Sequence, residues 1–142
     1  MPSRGYEVTV LAYPESPLHV RCREEGFAVH TARTRANGAP WTVLPMVHWL
    51  RRLRPDLILT EYDKDLRTVA LAARLARIDV RIVHSRECDG PVKDRPWIRA
   101  FHNRVADRIL VASEATRLST VESAPWLNPE RVHVVPKGID LT

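Results

Sequence analysis

His84-Ser85-Arg86-Glu87-Cys88-Asp89-Gly90 gathers an imidazole, a guanidinium, two carboxylates and a thiol directly after the strand-like run Arg81-Ile82-Val83. Imidazole changes charge near neutral pH, so His84 is a candidate general base or hydrogen-bond donor. Arg86 offers a planar fork suited to phosphate or carboxylate. The plainer reading leaves His84 half-buried and satisfied by backbone, with Arg86 paired to Glu87. His84 and Cys88 stand four apart, a spacing that suits a metal pair on a helix, but this stretch reads as a loop and no metal site is expected. A second polar run, Glu61-Tyr62-Asp63-Lys64-Asp65, follows Leu57-Ile58-Leu59-Thr60. It suits hydroxyl binding; equally, Asp63 or Asp65 suits the cap of a following helix. Ser113-Glu114 follows Ile109–Ala112, and Pro136-Lys137-Gly138 follows Val132–Val135. The last is a tight turn in which Gly138 is free to take a positive φ and Lys137 to face an anion, although a turn lysine is as readily just solvated.

These clusters share one feature: each trails a run that reads as a strand. The predicted strands are Tyr6–Ala12, Phe27–Thr31, Leu57–Tyr62, Val80–Ser85, Arg108–Ala112 and Val132–Pro136. Several are almost continuously apolar, as strands buried on both faces of a parallel sheet are. Helical patterns alternate with them. Over Trp41–Leu53 the residues Val43, Leu44, Val47, Leu50 and Leu53 fit one helical face, and Pro55 stops the run. Asp65–Arg77 is rich in good helix formers. Trp97–Ala106 puts Trp97, Ile98, Phe101 and Val105 on one side, and Ser113 caps a last helix to about Ser123. Loops are expected at Tyr13–Pro17, Arg33–Pro40 and Cys88–Pro96. Strand and helix alternating through short connections predict an α/β fold: a Rossmann-like parallel sheet with helices on both faces, three layers in all. In such sheets ligands bind outside the carboxyl ends of the strands, so the four polar clusters are expected along one edge.

Composition narrows the function. The 142 residues suit one domain, and the hydrophobic (44%) and charged (27%) fractions are those of an ordinary globular protein. No apolar run approaches the roughly 20 residues of a membrane-spanning helix, and the first residues lack the apolar length and cleavage site of a secretory signal. The two cysteines, Cys22 and Cys88, form no CxxC pattern, which points to reduced thiols and a cytoplasmic location. The net charge of +5 is spread over many segments; it favours phosphate-bearing ligands or an anionic membrane face, and no nucleic-acid-reading pattern accompanies it. Neither GxGxxG, GxxxxGK[ST] nor GxSxG occurs, against a nicotinamide enzyme, a P-loop nucleotidase and an α/β-hydrolase. The tryptophans read as packing residues, and His48, His102 and His133 as helix or strand surface. Trp97-Ile98-Arg99, with Phe101 and Arg104, would also suit a helix lying on a membrane.

Taken in order, RGYEVTVLA, LRRLRPDLILTEYDKD, IVHSRECDG, RVADRILVASEATR and ERVHVVPKGIDLT resemble the amino-terminal domain of glycosyltransferase family 4 enzymes. That family's signposts are a "GHEVTVL" strand, an "RPDLI" strand entry, an "ADRILVxSE" junction and an "I.VIPNGID" close. The resemblance covers nearly the whole chain and implies the acceptor-side half of a GT-B glycosyltransferase, residues 1–142 forming one Rossmann-like domain and the donor domain lying outside them. It implies sugar transfer from a nucleotide-sugar donor to a sugar or lipid-linked acceptor, with retention and without metal or other cofactor, and no turnover by this half alone. Carried over by position, His84 is the catalytic or acceptor-orienting histidine. Tyr62, Asp63, Lys64, Arg86 and Glu87 line the acceptor wall, and Lys137 and Gly138 the cleft floor near the donor phosphates. Lys137 stands where the family more often has asparagine. The chain starts at the family's second strand; without the first, exposed sheet edges are expected, filled by another copy of the chain or by local rearrangement. Peripheral contact with the inner membrane face fits the same picture. The competing readings are a stand-alone α/β module that binds an anionic small molecule or a protein, and a basic module that docks on a membrane or on nucleic acid.

Overall fold

The structure, a computed structural model, describes residues 5–33, 39–86, 90–136 and 138. It divides into two compact units, Met1–Asn37 and Gly38–Thr142.

The first unit is a parallel pair, β1 (Thr9–Ala12) and β2 (Ala28–Thr31), joined through helix α1 (Pro17–Glu24), with Thr9 opposite Ala28 and Ala12 opposite Thr31. Ser16 starts α1: its hydroxyl accepts the His19 N–H at 3.2 Å, and Pro17 fills the first helical position. Gly26, at φ +80°, turns the chain into β2, and the Phe27 N–H closes the helix end on the Cys22 carbonyl at 2.9 Å. Periodicity does not reveal α1, because its apolar Leu18 and Val20 are exposed and only Cys22 is buried; its first residue falls in the loop expected at Tyr13–Pro17.

In the second unit the elements alternate: α2 (Pro40–Leu53), β3 (Leu57–Thr60), α3 (Asp63–Ala76), β4 (Arg81–Arg86), α4 (Pro96–Arg104), β5 (Arg108–Val111), α5 (Glu114–Ser123), a 3-10 turn at Pro129–Arg131 and β6 (Val132–Val134). The strands pair in parallel in the order β3-β4-β5-β6. This is the expected α/β, Rossmann-like class. Right-handed crossovers between sequential strands put α3, α4 and α5 over the same face of this sheet. Burial follows: Ile82, His84, Arg86, Ile109, Val111 and Val132 are buried, whereas Leu57 and Leu59, which alternate to the other face of β3, are exposed. Among the described residues the strands form two separate ladders, and β3 pairs on one side only.

Local chemistry fixes the elements that matter below. Arg51 of α2 donates from Nη2 to the Leu75 carbonyl at 3.0 Å and from Nε to the Ala76 carbonyl at 3.4 Å. These carbonyls end α3 and have no helical partner of their own. With α2 packed along it, α3 is held so that its amino terminus stands just past the carboxyl end of β3. Asp107 locks β5 to β4: its Oδ2 accepts the Ile82 N–H at 2.8 Å, and its own N–H donates to the Ile82 carbonyl at 2.7 Å. The resulting register sets His84 opposite Thr60 on one side and Ile109 on the other.

Three sequence expectations are corrected. The buried face of α2 is Thr42, Val43, Met46, Val47 and Leu50; Leu44 and Leu53 are exposed, so the stripe is rotated by about one residue from that predicted. Trp41 is 74% exposed rather than packed. Trp97 is also exposed, and the Arg67 guanidinium lies over its ring, 4.6 Å from the centroid. Neither Asp63 nor Asp65 caps α3: the cap position is Tyr62, which makes no side-chain cap bond.

Ile109 is 1% exposed at the centre of the covered face, so Ile109→Ala should lower unfolding free energy by about 2–5 kcal/mol. Leu59→Thr, on the open face, should stay within about 0.5 kcal/mol. Urea unfolding of the two variants decides the point, and equal losses would contradict the assignment of faces.

Candidate functional site

Because the strands run parallel, Thr60, Arg86, Val111 and Val134 all end at one rim. Three elements bring side chains together just inside it. β4 supplies His84, two residues before its end. α3 supplies Asp63 as its first residue. α4 supplies His102, which lies one turn beyond Ile98 on the buried face of that helix. Arg131 holds the far end of α4 by donating to the carbonyls of Asn103 and Ala106, and Asn103 Nδ2 donates to the Trp126 carbonyl at 3.2 Å.

One oxygen joins these elements. Asp63 Oδ1 lies 3.2 Å from His102 Nε2 and 3.3 Å from His84 Nε2. The histidine side chains are 3% and 2% exposed, respectively, and that of Asp63 is 42% exposed. Thr60 Oγ1 meets the other His84 nitrogen, Nδ1, at 3.0 Å, so both ring nitrogens of His84 are engaged. The imidazole rings stand edge to face with centroids 5.3 Å apart, and the Trp126 ring closes over His102 at 6.2 Å. His102 Nδ1 is buried and has no hydrogen-bond partner among the described residues. Both histidine contacts are made through the same Asp63 oxygen, Oδ1.

The electrostatics follow from that geometry. The hydrogen bond from His102, and then that from His84, hold the Asp63 carboxyl far below the usual carboxylate range. The amino end of α3 works in the same direction. Two residues on, burial pushes Asp65 the other way, above its ordinary value, an effect that Lys64 moderates. The cluster therefore presents an ionised carboxylate, half in solvent, backed by buried imidazoles. Such a group accepts hydrogen bonds from hydroxyls.

The same three ligand atoms lie within 4.8 Å of one another, close enough to hold a metal ion. Metal on both Nε2 atoms would move each proton to Nδ1. His84 would then donate to Thr60, but His102 would bury an N–H with no acceptor among the described residues, which costs about 1–3 kcal/mol. A proton in each gap fits the residues better.

Of the residues singled out by sequence, His84 and Asp63 come together. Tyr62 and Lys64 flank them at the rim, both exposed, with Lys64 Nζ 5.3 Å from the Tyr62 ring centroid. Arg86 is buried: its guanidinium donates to the Gly90 carbonyl, and its Nε has no partner among the described residues. With Ser85, Leu110, Val111, Val135 and Pro136 it borders an open depression of about 150 Å³ at the same rim. Gly138 is exposed beyond β6. Glu87, Cys88 and Lys137 lie outside the described residues. Sequence reasoning missed His102, which was read as surface and is 2% exposed, and also missed Thr60 and Trp126. A signal for His102 was present: with Ile98, Phe101 and Val105 it completes an apolar-spaced stripe, where a histidine is buried and needs a partner.

The family description Glycosyltransferase Family 4 matches residues 1–142. The crystal structure of Anabaena Alr3699/HepE in complex with UDP and glucose superposes with a TM-score of 0.67 at 17% identity, covering 93% of this chain and 37% of that one. The HepE complex with UDP alone gives a TM-score of 0.69 at 16% identity over 93% of this chain and 36% of that one. MurG of Acinetobacter baumannii gives 0.62 at 17% identity over 96% and 38%. At these identities the likeness is one of fold. The chain spans a little over a third of the length of these structures. No curated protein matches it. None of the described helices is long and apolar enough to cross a membrane.

A carboxyl held lower in the folded than in the unfolded chain stabilises fully above its unfolded value, near 3.9, and loses that contribution as pH falls below it. Asp63→Asn should thus be less stable than the wild type at pH 7, and the gap should narrow below about pH 4. Urea unfolding at several pH values tests this, and a gap unchanged down to pH 3 would contradict it.

Proposed function

The chain belongs to glycosyltransferase family 4, and from that premise we propose that it is the acceptor-side half of a GT-B enzyme that moves a sugar from a nucleotide-sugar donor to a hydroxyl acceptor. The observation that carries this reading is the ionised Asp63 at the carboxyl rim, clamped from behind and open in front. Its Oδ2 accepts the hydrogen bond of the acceptor hydroxyl and points that oxygen at the anomeric carbon. The acceptor oxygen bonds to that carbon as the carbon's bond to the nucleoside diphosphate breaks. The bonding pair leaves with the diphosphate, and the hydroxyl proton, strongly acidic once the new bond forms, passes through Asp63 Oδ2 to solvent. Transfer retains the anomeric configuration and uses no metal.

His84 acts through Asp63 and Thr60, holding the carboxylate in place. Tyr62 and Lys64 offer an exposed aromatic face and a cation to the rest of the acceptor. Arg86 and Gly138 border the cleft, where a positive group such as the Arg86 guanidinium stabilises charge developing on the leaving diphosphate. The UDP and glucose in the HepE complexes support a uridine nucleotide-sugar as the first donor to try. The donor contacts belong mainly to a second domain, so this half alone does not turn over. We place the enzyme in the cytoplasm, at the inner membrane face where the acceptor is lipid-linked.

A panel of nucleotide sugars, offered with and without acceptors to the protein that carries this chain in full, tests the reading. Acceptor-dependent release of a nucleoside diphosphate is expected. Asp63→Asn and His84→Ala should each lower kcat/KM at least about tenfold. Donors left intact throughout, or variants at wild-type rates, would refute it.

A further inference from the structure

We infer that His102 is a positioning residue: through Nε2 it fixes the Asp63 carboxylate so that Oδ1 is spent inside the fold and Oδ2 is left for the acceptor at the rim. The assignment rests on the reading of this rim as the acceptor site.

A carboxylate on the first turn of a helix has free rotation about its Cα–Cβ and Cβ–Cγ bonds unless something restrains it. His84 alone restrains it from one direction, that of β4. His102 approaches from α4, a different element, and meets the same oxygen at 3.2 Å. Two donors from two elements define where that oxygen must sit, and so where its twin points. His102 is itself rigid: 2% exposed, beneath the Trp126 ring, on a helix whose carbonyl end Arg131 holds. Its second nitrogen has no described partner, so the contact with Asp63 is the one polar interaction that its burial provides among the described residues. A merely structural histidine in this stripe would be better replaced by an apolar side chain, because an unpaired buried nitrogen costs free energy. The groups that face Asp63 are His84 from β4 and His102 from α4; its own helix adds Lys64 and Asp65.

The test compares two variants of the complete protein. His102→Phe keeps a ring beneath Trp126 and removes the donor. His102→Gln keeps an N–H near the place of Nε2. Two readouts apply: the titration of the Asp63 carboxyl by carbon NMR, and steady-state kinetics with acceptor and donor varied separately. His102→Phe should move the Asp63 titration up toward the ordinary carboxylate range. It should also raise the acceptor KM about tenfold, with the donor KM unchanged. His102→Gln should recover most of both effects. If the phenylalanine variant does not fold, His102→Asn, whose shorter amide does not reach Asp63, takes its place. An unmoved Asp63 titration, equal effects of Phe and Gln, or a donor KM that shifts with the acceptor KM would overturn the assignment. So would one equivalent of zinc, bound tightly by the wild type and lost in either variant. A wild type whose Asp63 titrates low but which transfers no sugar upholds the clamp and refutes the transferase reading alone.

Discussion

A single carboxylate oxygen shared by two buried imidazoles is the constraint on which this structure turns. Histidine is a poor core residue unless its nitrogens are satisfied. Here β4 and α4 each bury one, and both are answered by Asp63 from the rim. The arrangement ties the central strand to two neighbouring helices through side chains rather than through the sheet ladder. It also divides the carboxyl group into an inner oxygen that belongs to the fold and an outer one that belongs to chemistry. A site built in this way requires little reorganisation when a hydroxyl arrives, which is what orientation at a reacting centre demands.

What holds the constraint in place is ordinary. Parallel pairing sets His84 beside Thr60, whose hydroxyl occupies the imidazole nitrogen that Asp63 does not. Asp107 pins the register of the next strand. Arg51 closes the far end of α3 on carbonyls that the helix leaves unpaired, and Arg131 the far end of α4 on the Asn103 carbonyl and that of Ala106 just beyond it. Polar side chains thus do at helix ends what apolar ones do along helix faces. All of these contacts lie within Gly38–Thr142, the unit that contains the site.

The frame was legible from the sequence because strands and helices announce themselves by period. Each of the predicted strands exists, with its ends moved by up to three residues; β1, for example, begins at Thr9 where Tyr6 was expected. The rim was legible too, since in a parallel sheet whatever follows a strand sits at its carboxyl end, and Asp63 and His84 stand out on that ground. Other features were not. Helix α1 hides because it has no buried apolar stripe: Leu18 and Val20 are exposed and only Cys22 is buried. Trp41 looks like core and is exposed, and the stripe of α2 is rotated from its simplest fit. His102 was misread because a histidine in an apolar stripe has no visible partner until the fold brings one from 39 residues away. Long-range polar pairing of that kind leaves no periodic trace.

The imidazole protons report on the shared oxygen most directly. Long-range nitrogen–proton NMR on histidine-labelled protein at neutral pH reads the tautomer of each ring. If Asp63 Oδ1 is the shared acceptor, both His84 and His102 carry their proton on Nε2, and in Asp63→Ala at least one of them changes tautomer or begins to exchange. Protons found on Nδ1 of both rings, indifferent to loss of the Asp63 carboxylate, would contradict the account at its centre.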